Sequence, residues 1–284
     1  MDSYEKKKVL GILLLWAVSN IALFAQESHT KVEKDSLQYQ WDRFSVSLGG
    51  FLTVISSDLG LIGEEMGVGL NINLEQALGL NSSTPVLRGE SEYNFGPRRR
   101  SHVRFGYFYL LRNAVKTLEN EIEIGDEVYP IGTDVRSKTG LHIIRGMYDY
   151  SFYKDRRANL AFSGGLYILP MSYSIGTDQI IDETDAFVLP LPVIGFRSEF
   201  LITPKFIAKQ NVEFLYLKTS NFQGDISDLN MWIEYHVLNH LGIGLGFNVF
   251  RFSMSATEKR NSREFVGTYK TGFTGLLFYG KYYF

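Results

Sequence analysis

The five histidines are the first side chains to test for chemistry, because imidazole serves both as a metal ligand and as a general base. Glu234, His236 and His240 have a spacing that would gather three metal ligands on one face of a helix. The surrounding residues alternate in polarity, however, and a strand followed by a turn would separate the three side chains. We therefore predict no metal site here.

Two further signatures of chemistry lead to no catalytic or cofactor-binding residue. The segment Gly242-Ile-Gly-Leu-Gly lacks the third glycine of a dinucleotide-binding fingerprint and lies inside an alternating stretch. Its glycines are better explained as close packing positions within a strand. No Gly-x-Ser-x-Gly elbow occurs, and the absence of cysteine excludes disulfides and thiolate metal sites. We expect no cofactor.

Acidic residues crowd two segments that are predicted to be loops. Carboxylates at this density could hold a divalent cation, but the spacing is not that of an EF-hand loop. A solvated acidic loop is the simpler interpretation. The stretch from Glu121 to Val135 also has the pattern of a hairpin. The two clusters are Glu119, Glu121, Glu123, Asp126 and Glu127, and Asp178, Asp182, Glu183 and Asp185.

The amino-terminal segment predicts export. Lys6, Lys7 and Lys8 precede an apolar run that ends at Phe24 and is followed by Ala25, which is the layout of a cleaved signal peptide over residues 1–25. A retained anchor is the alternative, but the run of about 16 residues is shorter than the roughly 20 that span a bilayer. Residues 26–42 are polar and are predicted to form a periplasmic lead-in. The near-neutral net charge of −2 gives no indication of nucleic-acid binding.

From residue 43 to residue 284 the sequence alternates between apolar and polar side chains, with the period of two that indicates β-strands. Connections between the segments are alternately short and long, as in a transmembrane barrel with short periplasmic turns. We predict an all-β fold, an antiparallel up-and-down transmembrane β-barrel of about ten strands, with eight or twelve as alternatives because 68–74 also alternates. The segments are 43–56, 85–95, 101–113, 140–152, 158–172, 189–202, 206–219, 227–238, 241–254 and 264–284.

The two faces of these strands differ in chemistry. Apolar side chains such as Phe105 and Phe247 are predicted to face lipid, while charges of both signs face inward. A water-soluble barrel would reverse the two faces, and alternation alone does not separate these folds. Because isolated buried charges are costly, we expect the inward set to form a salt-bridged polar core. This predicted lumen network comprises Arg88, Glu90, Glu92, Arg104, Arg112, Arg145, Arg197, Glu199, Lys209, Glu213, Asp228, Glu234 and Lys281.

The exported, cysteine-free alternating pattern that ends in Tyr282 and Phe284 resembles the small outer-membrane β-barrel proteins of Gram-negative bacteria, of the OmpA/OmpX type. The resemblance implies integral location in the outer membrane, contact with its lipid and lipopolysaccharide, and recognition of the terminal aromatic residues by the barrel assembly machinery. It covers architecture and carries no residue-specific motif.

The predicted function is a structural or surface-binding role, with a side-chain-filled polar lumen and possible extracellular ligand sites at loops 114–139 and 173–188. A porin-like small-solute pore is the first alternative. A lipid- or peptide-modifying enzyme is the second, with His142, placed near the outer end of its strand, as its one histidine candidate. Since no serine or carboxylate can be assigned to His142, we predict no enzymatic role.

Overall fold

The structure is a computed structural model that describes residues 43–63, 70–117, 122–124, 127–176, 183–219, 222–260 and 263–284. The predicted signal peptide, 1–25, and the predicted lead-in, 26–42, lie outside the described residues. Within the described ranges, no helix is long and apolar enough to cross a membrane.

Ten strands form a closed antiparallel wall, which confirms the predicted barrel and its strand number. Each strand pairs with its neighbour in the chain, and the last pairs with the first from Ser45–Tyr283 to Gly63–Phe265. The wall strands are β1 (Phe44–Gly63), β3 (Ser83–Phe95), β4 (Ser101–Thr117), β7 (Asp134–Lys154), β8 (Ala158–Gly176), β9 (Glu183–Thr203), β10 (Phe206–Lys218), β11 (Phe222–Leu238), β12 (Leu241–Arg260) and β13 (Arg263–Tyr283).

The predicted outward face is confirmed by side-chain exposure. Along β4, Val103, Phe105 and Tyr107 are exposed, whereas His102 and Arg104 between them are buried. The same alternation holds along β12 and β13. Because alternate residues of a strand point to opposite faces, exposed and buried side chains alternate along these strands.

The stretch 68–74 contributes a strand and a helix instead of an eleventh wall strand. β2 (Leu70–Asn73) pairs with the outer part of β1, and the five-residue helix α1 (Leu74–Leu78) follows it. Asn73 caps the helix by accepting the Gln76 backbone N–H at 2.9 Å, and Gly79 ends it with a φ of 69°. The alternating pattern did not predict this helix, because five residues are too few to show helical periodicity.

Several strands run farther outward than the sequence predicts. β7 begins at Asp134 and not at residue 140, and β11 begins at Phe222 and not at residue 227. Between β4 and β7, strands β5 (Ile122–Ile124) and β6 (Glu127–Tyr129) pair antiparallel, which confirms the predicted hairpin. Continued pairing satisfies backbone donors and acceptors beyond the apolar band. In that region the side chains no longer alternate between apolar and polar, so the sequence pattern does not identify the strand.

At the opposite end of the barrel, short turns connect consecutive strands at the positions predicted. They include a 3-10 turn over Pro97–Arg99 and a turn in which the Asp155 carboxylate accepts the backbone N–H groups of Arg157 and Ala158, each at 2.7 Å. The chain terminus completes the wall here. The Phe284 N–H donates to the Phe44 carbonyl at 2.9 Å, and their rings lie 5.3 Å apart.

Candidate functional site in the barrel lumen

The centre of the lumen is an ion cluster built from five strands. Arg104 on β4 donates to both carboxylate oxygens of Asp149 on β7, at 2.6 and 2.9 Å, and to Glu213 on β10 at 2.9 Å. Tyr167 on β8 donates to Asp228 on β11 at 2.7 Å and also to Glu213. Asp149 and Glu213 are at most 1% exposed. Charges this deep must be paired and hydrogen-bonded to be tolerated.

A second cluster lies toward the periplasmic turns. Arg197 donates to Glu92 at 2.7 Å and to Glu199 at 2.5 Å. Lys209 donates to Glu234 at 3.2 Å. Lys281 lies 3.9 Å from Glu92, a distance that suits Coulombic attraction and is too long for a hydrogen bond.

The remaining predicted residues extend the lumen network toward the outer half. Glu90 accepts from Arg88 at 2.6 Å and from Arg145 at 2.7 Å, so that one carboxylate bridges two guanidinium groups. Arg112 pairs with Glu75 of α1, and Glu75 also accepts the Ser57 backbone N–H at 3.0 Å. All thirteen residues of the predicted lumen network therefore lie on the inward face and take part in ion pairs or hydrogen bonds.

Part of the lumen is apolar, contrary to the prediction of a polar interior throughout. Phe51, Phe108 and Phe273 meet edge to face, with ring centroids 5.6–5.9 Å apart, and Phe250 stacks on Phe273 at 4.7 Å. Each ring is at most 6% exposed. The Arg88 guanidinium lies 5.3 Å from the centre of the Phe108 ring, a cation–π contact that joins the apolar cluster to the ionic one.

Inward glycines on β12 make room for large side chains, as the sequence indicates. A Cβ at Gly244 would overlap the Tyr279 ring, and one at Gly246 would lie 2.5 Å from the Trp232 ring. The space that these glycines leave is therefore filled. Tyr279 uses it to donate to Glu234 at 3.1 Å.

Two small cavities border the ion clusters. The larger, about 50 Å³, is lined mostly by the second ion cluster and by Trp232 and Tyr279. The smaller, about 10 Å³, lies beside Arg145 and Asp228, which is about the space that one water requires. The buried Nη1 atom of Arg145 has no hydrogen-bond partner in the protein, so a water in this cavity would satisfy it.

His102 lies inside the barrel, at the periplasmic end of β4. It is 1% exposed, its Nε2 atom lies 2.7 Å from the Ser151 hydroxyl, and its Nδ1 atom contacts the Asn94 side chain. A serine, a histidine and an amide in this order match the connectivity of a nucleophile, base and orienting group. Ser151 is fully buried, however, and lines neither cavity described above.

His236 and His240 make separate contacts near the last strand. His236 contacts Glu234 at 3.2 Å and the Tyr283 hydroxyl at 3.1 Å, while His240 lies against the Tyr283 carbonyl at 3.1 Å. Among the described residues, no group of three or more His, Cys, Asp or Glu side chains could hold a metal ion.

His142 is on the outer surface of the wall. Its ring stacks on Tyr109 at 4.1 Å, and its Nδ1 atom lies 3.0 Å from the Tyr107 hydroxyl. Because β7 begins at Asp134, His142 lies well inside the strand and not near its end. The described contacts of this ring include no carboxylate and no serine hydroxyl.

Sequence reasoning missed several inward residues. Asp149 was omitted although it lies on the same face of β7 as Arg145, four positions along. With Asp149, the charges of the lumen network number seven of each sign. The buried amides Asn230 and Asn248, which are hydrogen-bonded at 2.8 Å, could have been found by the same count of alternate positions.

No family model matches the sequence, and no curated protein matches it either. The fold is similar to that of the outer-membrane protease OmpT from Escherichia coli, with 10% identity, a TM-score of 0.52 and coverage of 88% of this chain and 100% of that one.

Two other matches have TM-scores below 0.5. The Pseudomonas putida toluene transporter TodX has 8% identity, a TM-score of 0.34 and coverage of 87% and 92%. The Yersinia pestis attachment invasion locus protein Ail has 9% identity, a TM-score of 0.29 and coverage of 82% and 97%. At these identities the likeness concerns the fold alone. The chain is a transmembrane β-barrel with the architecture of Gram-negative outer-membrane proteins.

Proposed function

We propose that the protein is an integral outer-membrane β-barrel with a structural or surface-binding role and a lumen closed by its own side chains. The filled lumen carries this proposal. Ion pairs occupy the interior from Lys281 to Arg112, aromatic rings occupy the space around Phe51, and the larger cavity measures about 50 Å³. Small barrels are commonly filled by side chains in this way.

A small-solute pore is the alternative, and two observations weigh against it. A conducting path would have to pass between Phe51, Phe108 and Phe273, whose rings are in contact. Channel selectivity also depends on a local excess of one charge or on a polar constriction. The balanced ion pairs of this lumen provide no such field.

Conductance in planar bilayers tests the proposal. The refolded protein is expected to give no discrete current steps, because no water-filled path crosses it. The triple variant Phe51→Ala/Phe108→Ala/Phe273→Ala separates the two layers of the plug, and it should also give no steps, because the ion pairs of Arg104 and Arg197 still fill the lumen. Regular single-channel steps from the unmodified protein would refute a closed lumen.

Location in the outer membrane and export through the periplasm belong to the same proposal. The exposed apolar bands of the wall require lipid, as at Phe105, which is 52% exposed, and Leu245, which is 58% exposed. Cell fractionation with amino-terminal sequencing of the mature chain tests both location and cleavage after Ala25. Recovery of the chain from the soluble fraction would refute the location.

We further propose that Tyr282 and Phe284 are the assembly signal and that lipid and lipopolysaccharide contact the outer wall. Both aromatic side chains are exposed on the last strand, at 48% and 64%. Their replacement by alanine should reduce assembly in cells and leave refolding from urea largely unchanged. The predicted loops 114–139 and 173–188 remain the proposed extracellular ligand sites, although the structure assigns their ends to β4, β7, β8 and β9. Binding assays on variants with substitutions between those strands would test them.

The proposal includes no enzymatic role. The enzyme alternative depends on His142, whose neighbours Tyr107 and Tyr109 supply neither a serine hydroxyl nor a carboxylate. If purified protein hydrolysed a lipid or peptide and His142→Ala abolished the activity, this part of the proposal would be wrong.

A further inference from the structure

Basic residues dominate three of the short periplasmic turns. These turns, 96–100, 155–157 and 204–205, connect β3 to β4, β7 to β8 and β9 to β10, which are consecutive along the wall. They contain six basic residues and one acidic residue, Asp155, so that five positive charges are in excess. We call the basic set the basic turn patch, and its members are Arg98, Arg99, Arg100, Arg156, Arg157 and Lys205.

Backbone hydrogen bonds fix the three turns against one another. The Ser151 N–H on β7 donates to the Arg100 carbonyl at 2.8 Å, and the Leu201 N–H on β9 donates to the Arg157 carbonyl at 2.7 Å. The first two turns are therefore each hydrogen-bonded to the strand that leads into the next turn. The basic turn patch is one continuous surface at the periplasmic end of the barrel.

Asp155 does not neutralise this surface. Its carboxylate accepts hydrogen bonds from the Tyr153 hydroxyl at 2.6 Å and from the backbone N–H groups of Arg157 and Ala158 at 2.7 Å each. Those bonds shape its own turn, and a single carboxylate offsets one guanidinium at most. The remaining positive charges repel one another, and an external anion would relieve that repulsion.

Several members of the patch have side chains directed to an external partner. Those of Arg98, Arg156 and Lys205 are exposed and have no hydrogen-bond or ion-pair partner among the described residues. Arg98 and Arg99 also have left-handed backbone conformations, with φ of 56° and 50°. Glycine adopts this conformation at lower cost, and strain of this kind clusters at functional positions. Arginine at residue 98 therefore indicates a role for its side chain outside the barrel.

An exposed aromatic residue adjoins each of the three turns and indicates the depth of the patch in the membrane. These residues are Phe95, Tyr153 and Phe206. Exposed aromatic rings of such barrels lie at the membrane–water interface. The headgroup layer is roughly 5–8 Å thick on each side of the hydrocarbon, and one or two residues at about 3.3 Å each remain within it. The basic turn patch therefore lies at the level of the phospholipid headgroups of the periplasmic leaflet.

The fourth short turn differs in charge. Residues 239–240 connect β11 to β12 and are an asparagine and a histidine, without arginine or lysine. This turn closes the same end of the barrel as the other three. The excess positive charge is thus confined to one side of the periplasmic end.

We propose that the basic turn patch binds the headgroups of anionic phospholipids, of the phosphatidylglycerol type, in the periplasmic leaflet. The guanidinium groups donate to the phosphate oxygens, for which their planar fork of N–H donors is suited. In a zwitterionic headgroup the ammonium offsets the phosphate, so the excess positive charge selects lipids with net negative charge. The depth of the patch favours this occupant over a soluble acidic protein, because the turns do not project beyond the headgroups.

Photocrosslinking with two headgroup probes tests this site. The protein is refolded into phosphatidylcholine vesicles with traces of two lipids that carry the same headgroup diazirine. In one lipid an amide links it to phosphatidylethanolamine, which leaves the lipid anionic, and in the other a quaternary ammonium keeps the lipid neutral. Mass spectrometry then gives the ratio of anionic to neutral adducts at each turn. We expect a ratio of about five or more at 96–100 and 155–157, because one basic residue near an anionic lipid is worth roughly a factor of five.

Two comparisons within the unmodified protein control this measurement. The ratio at 239–240 should be close to one, since that turn reaches the same headgroups without the positive charge. In about 1 M NaCl the Debye length is about 3 Å, so the ratio at the basic turn patch should fall toward the value at 239–240.

A pair of variants provides the mutational test. The test variant removes three charges from the patch and is Arg98→Gln/Arg156→Gln/Arg157→Gln. The matched control removes three exposed charges from the outer half of the wall and is Lys218→Gln/Arg251→Gln/Lys270→Gln. The ratio at 96–100 should fall by about threefold or more in the test variant and remain unchanged in the control. If the test variant does not fold by heat-modifiable mobility, the salt titration of the unmodified protein decides.

A ratio close to one at the basic turn patch, or a high ratio that persists in the test variant or in high salt, would overturn the proposal. A ratio close to one with retention of the protein on immobilised polyglutamate would assign the patch to a soluble polyanion instead. The inference rests on the proposed insertion in a bilayer and not on the closed lumen. Adducts are collected only from protein with the gel mobility of a folded barrel, which distinguishes a failed patch from failed insertion. Conductance steps would refute the closed lumen and leave the ratio unchanged.

Discussion

Replacement of Arg104 by methionine measures how far the lumen excludes water. The guanidinium makes three hydrogen bonds to Asp149 and Glu213, of 2.6, 2.9 and 2.9 Å. At about 1.5–3 kcal/mol for each charge-assisted bond, their sum would be roughly 4.5–9 kcal/mol. Arg197 remains 3.3 Å from Asp149, and Arg145 remains 3.5 Å from Glu213, so neither carboxylate loses all compensation. We therefore expect Arg104→Met to lower the free energy of unfolding by about 3–5 kcal/mol, as for other broken buried ion pairs.

Urea unfolding of the refolded protein in phosphatidylcholine vesicles, followed by heat-modifiable gel mobility, provides the measurement. Arg251→Met is the matched control, because Arg251 is an exposed residue on the outer face of β12 and its loss should cost less than about 1 kcal/mol. In the double variant Arg104→Met/Asp149→Leu, the loss should be smaller than the sum of the two single losses. The interaction energy expected for contacting residues is about 0.5–3 kcal/mol.

If Arg104→Met costs no more than Arg251→Met, the lumen is hydrated and the reasoning is wrong. Water would then replace the lost guanidinium at Asp149 and Glu213, and the ion pairs would contribute as little as surface pairs do. That result would also favour a pore, since water able to reach Asp149 has already entered the barrel.

Three further outcomes are expected. Gly244→Val should block folding, since the valine side chain would overlap the Tyr279 ring. Gly280→Val should fold, because a Cβ at that position meets nothing within 4 Å. Refolding yield, measured by gel mobility, checks both variants. Phe105→Arg should destabilise the inserted barrel by about 2–4 kcal/mol, because a charge near the bilayer midplane would face lipid. Phe105→Leu is its control. Equal urea midpoints of the two variants would contradict the outward facing of residue 105. Burial raises the pKa of the Asp155 carboxyl, but hydrogen bonds from Tyr153 and from two backbone N–H groups outweigh burial and hold the pKa below its ordinary value. The stability that Asp155 contributes is therefore present above its unfolded-state pKa and is lost as the pH falls through its folded pKa. The urea midpoints of Asp155→Ala and of the unmodified protein should converge at acidic pH. A difference between the midpoints that does not change with pH would contradict the assignment.

The strands and their facing could be predicted from the sequence, because lipid on one side and ion pairs on the other impose a strict alternation. Phe105 and Arg104 illustrate this, since adjacent residues of opposite character point in opposite directions. The outer ends of the strands could not be predicted in the same way. Beyond the bilayer both faces of a strand meet polar surroundings, and the contrast in polarity disappears.

The aromatic part of the lumen was harder to predict because lipid and a filled interior favour the same residue types. Phe108 lies in the continuous apolar run from Tyr107 to Leu111, where only a count of positions from Arg104 assigns it to the inside. The ion-pair partners could not be predicted without knowing how the strands are aligned around the barrel. Arg104 and Glu213 meet across the lumen, and no local spacing in the sequence relates them.

The pairing of the wall is interrupted beside its two shortest strands, since the β3–β4 ladder ends at Arg88–Phe108 and the β9–β10 ladder ends at Ile194–Phe214. β3 and β10 have 13 residues each, whereas every other wall strand has at least 17. Where a short strand ends between longer neighbours, backbone groups lose their partners, and a protein segment, water or lipid must satisfy them. At β3 the chain provides α1. Beside β10, the next even-numbered residues of β9 beyond the last pair are Pro192 and Pro190, which have no backbone N–H and cannot extend the ladder as donors.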